Sequence, residues 1–181
     1  MDFRQLGRAC AVIVCAVVVP AGGVFAADIQ EPGVIASFEG RQIVLSEGWG
    51  DAHACVVAPD GVRCYRSERE MDAAEGAELE QAAAAAGGVA ALTACSSSVR
   101  LYDGTSYTGS VLQLTTRGVY HNLASLGFDN LTSSYKIGAC SARFYDTTSG
   151  GTLYPGSTSA NVSATSMATG WNNRVGSVYI L

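Results

Sequence analysis

Imidazole is scarce in this chain of 181 residues. His53 and His121 are the only histidines, and with six cysteines they leave little from which to build a zinc centre. Charge is scarce too. Asp, Glu, Lys and Arg make up 15% of the residues and the balance is acidic, with a net charge of −5. A soluble protein usually carries roughly a quarter charged residues. Without a basic field the chain has no electrostatic means of gripping nucleic acid without regard to sequence. Catalytic signatures are missing as well. There is no P-loop, no G-x-G-x-x-G, no H-E-x-x-H and no G-x-S-x-G nucleophile elbow. A triad is a spatial arrangement, but neither histidine has a sequence context that points to one. The expectation is a protein that binds rather than catalyses.

The apolar run at residues 11–19 (AVIVCAVVV) is too short to anchor a helix across a bilayer. It follows Arg4 and Arg8 and precedes the small-residue pattern Val24-Phe25-Ala26, which is the layout of a secretory signal peptide. Residues 1–27 are therefore expected to be removed, leaving a secreted chain with no membrane span. That removes one acid and two bases and takes the net charge from −5 to −6. Cys55, Cys64, Cys95 and Cys140 remain, and four cysteines in an exported chain read as two disulfides. Three pairings are open. Cys55 and Cys64 flank the turn signal Ala58-Pro59-Asp60-Gly61 between two β-rich runs, so hairpin geometry favours joining them, and Cys95 with Cys140 follows.

What the chain has in quantity is glycine, 21 residues, together with many Ser and Thr, a composition of turns and loops. Charge divides it. Residues 28–94 hold 12 acids and 4 bases, whereas residues 95–181 hold 3 acids and 5 bases. The first part reads as a small β region over 28–66 and an Ala/Glu-rich helix and linker over 67–94. Residues 38–45 suggest a strand, and Val56-Val57 and Val62-Arg63-Cys64-Tyr65 the arms of a hairpin. Ser67-Glu68-Arg69-Glu70 is a capping box. It predicts a helix from about 68 to 86, stopping at Gly87-Gly88. Its apolar face is thin, with Met71 and Leu79 among alanines, so the helix is expected to pack lightly or act as a spacer.

Residues 95–181 read as all-β, with short Tyr, Val, Leu and Phe runs broken by turn residues. They also contain a repeat. A shift of 43 lays Val99-Arg100-Leu101-Tyr102-Asp103 on Ala142-Arg143-Phe144-Tyr145-Asp146 and Phe128-Asp129-Asn130 on Trp171-Asn172-Asn173. It also lays Ser134-Tyr135-Lys136-Ile137 on Ser177-Val178-Tyr179-Ile180. A unit of this length cannot bury its apolar face alone, so two copies should pack together. Four short strands per unit fit a Greek key, and two units a β-sandwich.

At these residues the sequence resembles the βγ-crystallin superfamily. The family's unit carries an aromatic, a short hairpin and then aromatic-x-Gly. Tyr102 through Tyr107-Thr108-Gly109 matches this, and in the second unit Tyr145 leads to Tyr154-Pro155-Gly156 with four extra residues. Calcium-binding members carry Asn/Asp-Asn/Asp-x-x-Ser/Thr-Ser. Asp129-Asn130-Leu131-Thr132-Ser133-Ser134 matches throughout, and Asn172-Asn173-Arg174-Val175-Gly176-Ser177 matches except at Gly176. The resemblance implies a mainly β, double Greek-key sandwich over 95–181, preceded by a small disulfide-linked α+β segment and the signal peptide. It implies Ca²⁺ as ligand. Side-chain oxygens would come from Asp129, Asn130 and Ser133 with the Leu131 carbonyl, and from Asn172 and Asn173 with the Arg174 carbonyl. The chemistry agrees, since Ca²⁺ takes six to eight hard oxygens and these segments offer nothing softer. Each ion would be shared between the two units' loops. Gly176 has no hydroxyl, so one better and one degraded site are expected. The same residues also suit plain turns, because Asn, Asp, Ser and Gly bond nearby backbone.

The superfamily has a second branch, secreted bacterial metalloprotease inhibitors with the same fold and disulfides, which Cys95 and Cys140 resemble in position. An extracellular protease is therefore the alternative partner, with residues 147–155 as the candidate inhibitory loop. Tyr102, Tyr107, Tyr145 and Trp171 could line a sugar platform, but they stand at fold-defining positions, and core packing is the expectation.

Overall fold

The computed structural model describes residues 33–85 and 98–181, which lie in one compact unit, Glu31–Leu181. The predicted signal peptide, Cys95 and Gly87-Gly88 lie outside the described residues. Strands β1 (Ile35–Phe38) and β2 (Arg41–Val44) form a hairpin. The strand expected over 38–45 is thus interrupted: Glu39 and Gly40 both take positive φ, 49° and 75°, and turn the chain back on itself. Strands β3 (Ala54–Ala58) and β4 (Gly61–Tyr65) follow, with Cys55 directly opposite Cys64 and joined to it as a disulfide. Helix α1 (Glu68–Ala85) starts where its box predicts. Ser67 Oγ accepts from the Glu70 N–H at 3.2 Å, and Glu70 reaches back to accept from the Arg66 N–H at 3.1 Å.

Beyond residue 98 come β5 (Val99–Tyr102), β6 (Val111–Leu114), β7 (Tyr120–Asn122) and β8 (Ser134–Ile137). Then β9 (Ala142–Thr147), β10 (Gly150–Leu153), β11 (Ser163–Ala164) and β12 (Ser177–Ile180) retrace that pattern. The offset of 43 is thereby physical, since each strand of the second group stands for one of the first. Two sheets result, in the orders β11-β8-β5-β6-β3-β4-β1-β2 and β10-β9-β12-β7. Each unit keeps three strands in its own sheet and lends its third to the other. β7 pairs with β12, and β11 with β8. The aromatic core lies between the sheets, where Tyr135 meets Phe144 edge-on at 5.1 Å and Tyr154 meets Trp171 at 5.3 Å. The fold is mainly β, a βγ-crystallin-like double Greek key with an α+β extension.

The extension is not a separate layer. β3 runs parallel to β6, from Ala54 opposite Val111 to Val57 opposite Leu114, so one sheet crosses the change of composition. All four residues of β6 are buried. One face of that strand belongs to the sandwich core, and the other lies in a smaller cluster with Met71 of α1, Ala54, Val56 and Tyr102. A strand covered on both sides reads as a continuous apolar run, as Val111-Leu112-Gln113-Leu114 nearly does.

Nor does α1 pack as a spacer. Arg63 on β4 pairs with both Glu75 oxygens at 3.1 and 3.0 Å, and Arg100 on β5 pairs with Glu68 at 2.7 Å and with Asp72. The hydroxyls of Tyr102 and Tyr65 donate to Glu68 and Glu75 at 2.6 and 2.9 Å. Four of the acids that make the first segment negative, Glu68, Asp72, Glu75 and Glu78, attach the helix. A thin apolar face is compensated by charge-assisted bonds at partly buried positions.

Residues 147–155 also differ from expectation. They form a hairpin in place of an irregular loop; a tight turn at Thr148-Ser149 joins β9 to β10, its tip is exposed, and Tyr154 is buried. The second unit's hairpin glycine is Gly151 rather than Gly156. Asp103 Oδ1 accepts from the Ser110 N–H at 2.8 Å, and Asp146 Oδ1 from the Thr152 N–H at 2.6 Å. A Cβ on Gly109 or on Gly151 would strike that aspartate. The second hairpin is one residue shorter than the first, and Tyr154-Pro155-Gly156 is a coincidental match further along.

Candidate functional site

The two hexapeptides meet. The Asn130 N–H donates to the Val175 carbonyl at 3.1 Å, and 43 residues on, the Asn173 N–H donates to the Thr132 carbonyl at 3.0 Å. Asn130 and Asn173 both take the left-handed conformation, φ 55° and 56°, which asparagine tolerates better than most residues. The corners are therefore a back-to-back pair across the pseudo-two-fold between the units.

One half of the pair gathers oxygen. Ser133 Oγ lies 3.0 Å from Asn173 Oδ1 and 3.4 Å from the Leu131 carbonyl oxygen. The hydroxyl belongs to the first unit and the amide to the second, so this cluster of hard donors exists only when both units are folded together. In the other half the counterpart of Ser133 is Gly176, and the Asn130 amide N–H donates instead to Asp129 Oδ2 at 2.8 Å. A Cβ on Gly176 would lie 2.9–3.1 Å from backbone atoms of Thr147 and Asp146. The missing hydroxyl is a packing requirement of the β9–β10 turn. Asn172 is exposed, and the Arg174 side chain pairs with Asp146 at 2.9 Å and covers the Trp171 ring at 5.0 Å. Burial raises the Asp129 carboxyl above its ordinary value, partly opposed by the Asn130 amide.

The last serine of each hexapeptide has structural work. Ser134 Oγ donates to the Gly104 carbonyl at 2.6 Å and accepts from the Tyr107 N–H at 3.0 Å; Ser177 Oγ accepts from the Gly150 N–H at 3.2 Å. Each pins its own unit's hairpin. Sequence reasoning missed Thr132, which is fully buried and whose Oγ1 has no hydrogen-bond partner. At the matching place in the second unit stands Val175, also fully buried. The offset of 43 applied to this pair would have disclosed it.

Elsewhere the candidates separate. His53 and His121 lie on different strands or their approaches, and His121 is buried with Nε2 2.7 Å from the Thr116 carbonyl. Burial lowers the His121 pKa below its ordinary value. Tyr102 and Trp171 are buried, and Tyr107 and Tyr145 are half-buried, so these four make no open platform. Cys140 is disulfide-bonded, and Cys95, its expected partner, lies outside the described residues. Among the described residues no group of three or more His, Cys, Asp and Glu side chains could hold a metal, and no helix is long and apolar enough to cross a membrane. The oxygen cluster here is of a different kind, made of hydroxyl, amide and carbonyl.

No protein-family model and no curated protein matches the chain. Solved structures do. A domain from work on the evolution of the eye-lens βγ-crystallin fold is 19% identical, covering 48% of this chain and 87% of its own, at a TM-score of 0.42. A βγ-crystallin from Ciona intestinalis is 17% identical, covering 46% and 99%, at 0.39. A βγ-crystallin domain from Flavobacterium johnsoniae is 27% identical, covering 46% and 92%, at 0.36. The strand order and the exchanged third strands make residues 98–181 a double Greek key, and the likeness to these structures is one of fold.

Proposed function

We propose that the chain is a secreted, non-enzymatic protein that binds one Ca²⁺ at the corner shared by its two units. The observation that carries this is the convergence of Ser133 Oγ, Asn173 Oδ1 and the Leu131 carbonyl, hard oxygens from both units, with the amide and carbonyl oxygens 3.0 and 3.4 Å from the hydroxyl. This donor set fits a hard cation that accepts hydroxyl, amide and carbonyl oxygens and completes its shell with water. Asp129 is the one carboxylate of the two hexapeptides. The second corner, with Gly176 in place of a hydroxyl, is the weaker one. Few carboxylates near the site make the affinity modest.

Calorimetric titration of Ca²⁺ into chelator-treated chain lacking residues 1–27 tests this, with melting curves alongside. One site per chain and a melting temperature that rises with Ca²⁺ are expected, because a ligand that binds only the folded form stabilises it. Loss of the heat in Ser133→Ala and in Asn173→Ala would place the ion; no heat and no shift in the unaltered chain would refute the reading. For the metalloprotease-inhibitor alternative, the candidate segment is the β9–β10 hairpin, whose residues 147–149 and 151–153 are exposed. An assay against a thermolysin-type enzyme separates the two.

A further inference from the structure

Phe128 and Trp171 hold the same place 43 residues apart, each immediately before its oxygen-rich hexapeptide, but they are covered differently. Trp171 is covered from within its own unit, by Tyr154 at 5.3 Å and the Arg174 guanidinium at 5.0 Å. Phe128 is stacked by Trp49, which belongs to the extension, at 5.4 Å and an interplanar angle of 27°. The Trp49 indole N–H donates to the Leu126 carbonyl at 2.9 Å, and this bond is buried. Gly127, at φ 66°, lets the backbones touch. A Cβ there would sit on the Leu45 carbonyl oxygen and 3.1 Å from Trp49 Nε1. The Val34 N–H donates to the Ser125 carbonyl at 3.1 Å. Residues 125–128 are thus held by three points of the extension, and Asp129 is the next residue. Trp49, Phe128 and Leu131 share the wall of one groove of about 210 Å³.

We infer that the extension is a positioning element for the calcium corner of the first unit and that Trp49 is its principal residue. This rests on the calcium reading above. Trp49 bonds the Leu126 carbonyl and stacks on Phe128, and so fixes the segment that leads into the candidate ligands. Groups that orient metal ligands commonly change metal affinity by about 10–100-fold when removed. A preordered loop binds more tightly because less freedom is lost on binding. In the second unit the equivalent support is internal, so the extension supports only the corner whose hydroxyl is present.

The test is calorimetric titration of Ca²⁺ into the full chain and into Trp49→Ala and Trp49→Phe. Each is titrated at a temperature where circular dichroism shows it folded, and tryptophan emission is followed in parallel. Trp49→Ala should bind about tenfold more weakly with unchanged stoichiometry. Trp49→Phe keeps a stacked ring without the N–H donor and should lose less. The calcium-induced change in emission should shrink in Trp49→Phe, because Trp49 reports its own corner. Equal affinity in all three proteins overturns the inference while leaving calcium binding intact; no heat in the unaltered chain overturns the calcium reading itself. Should Trp49→Ala fail to fold, Trp49→Phe decides alone, and an affinity equal to that of the unaltered chain overturns the inference.

Discussion

Thr132 is an expensive residue for its position. Its hydroxyl is fully buried and has no partner, whereas the matching Val175 fills the same kind of space with a methyl. An unsatisfied buried hydroxyl costs about 1–3 kcal/mol. Thr132→Val should therefore raise the melting temperature by the equivalent of about 1 kcal/mol, measured without Ca²⁺. His121 makes the opposite kind of demand. Its folded pKa lies below the ordinary 6.5, because burial disfavours the imidazolium. As pH falls through 6.5 the unfolded chain takes up the proton first, so the stability His121 contributes is full above that value and declines below it. Melting between pH 7.5 and 5 should show this decline, and His121→Gln should flatten it. A parallel decline in the variant would exclude His121 as its source.

Among the elements, α1 shows how a weakly apolar helix can still be fixed. Met71 is the fully buried apolar anchor among its described side chains, and the carboxylates of Glu68, Asp72 and Glu75 reach Arg100 and Arg63 across the sheet. Met71→Ala should cost about 2–4 kcal/mol. Limited proteolysis should then cut first within the helix, while an unchanged melting curve would mean the ion pairs alone hold it. The capping box and the Cys55–Cys64 hairpin were legible in the sequence because both are local patterns. The weight of the helix's attachment was not, because Arg100 lies 32 residues beyond Glu68. The parallel contact of β3 with β6 was hidden for a related reason. A parallel pair has no connecting turn to announce it, and nothing near Ala54 points to Val111. The second hairpin was misplaced because Tyr154-Pro155-Gly156 imitates a pattern that Gly151 fulfils structurally.

For the whole molecule, the offset of 43 was the most informative feature of the chain, since it foretold two packed units of four strands; the pairing of the corners was implied by the resemblance. It could not foretell that the third strands change places, which is a fact of closure rather than of composition. The exchange predicts that residues 98–139 expressed alone will not fold, because β7 then lacks β12 and β8 lacks β11. A dispersed, cooperative spectrum from that fragment would contradict this. The oxygen cluster inherits the same dependence, since Ser133 and Asn173 come from different units.

The lent strands carry one more consequence, for what happens when many copies refold at once. The bonds that β7 forms with β12, and β11 with β8, depend on neighbouring geometry and not on which molecule supplies the strand. At high protein concentration, chains that trade these segments with one another close the same two sheets and emerge as interlocked pairs. Each such pair would own two oxygen corners, every one of them built from both chains.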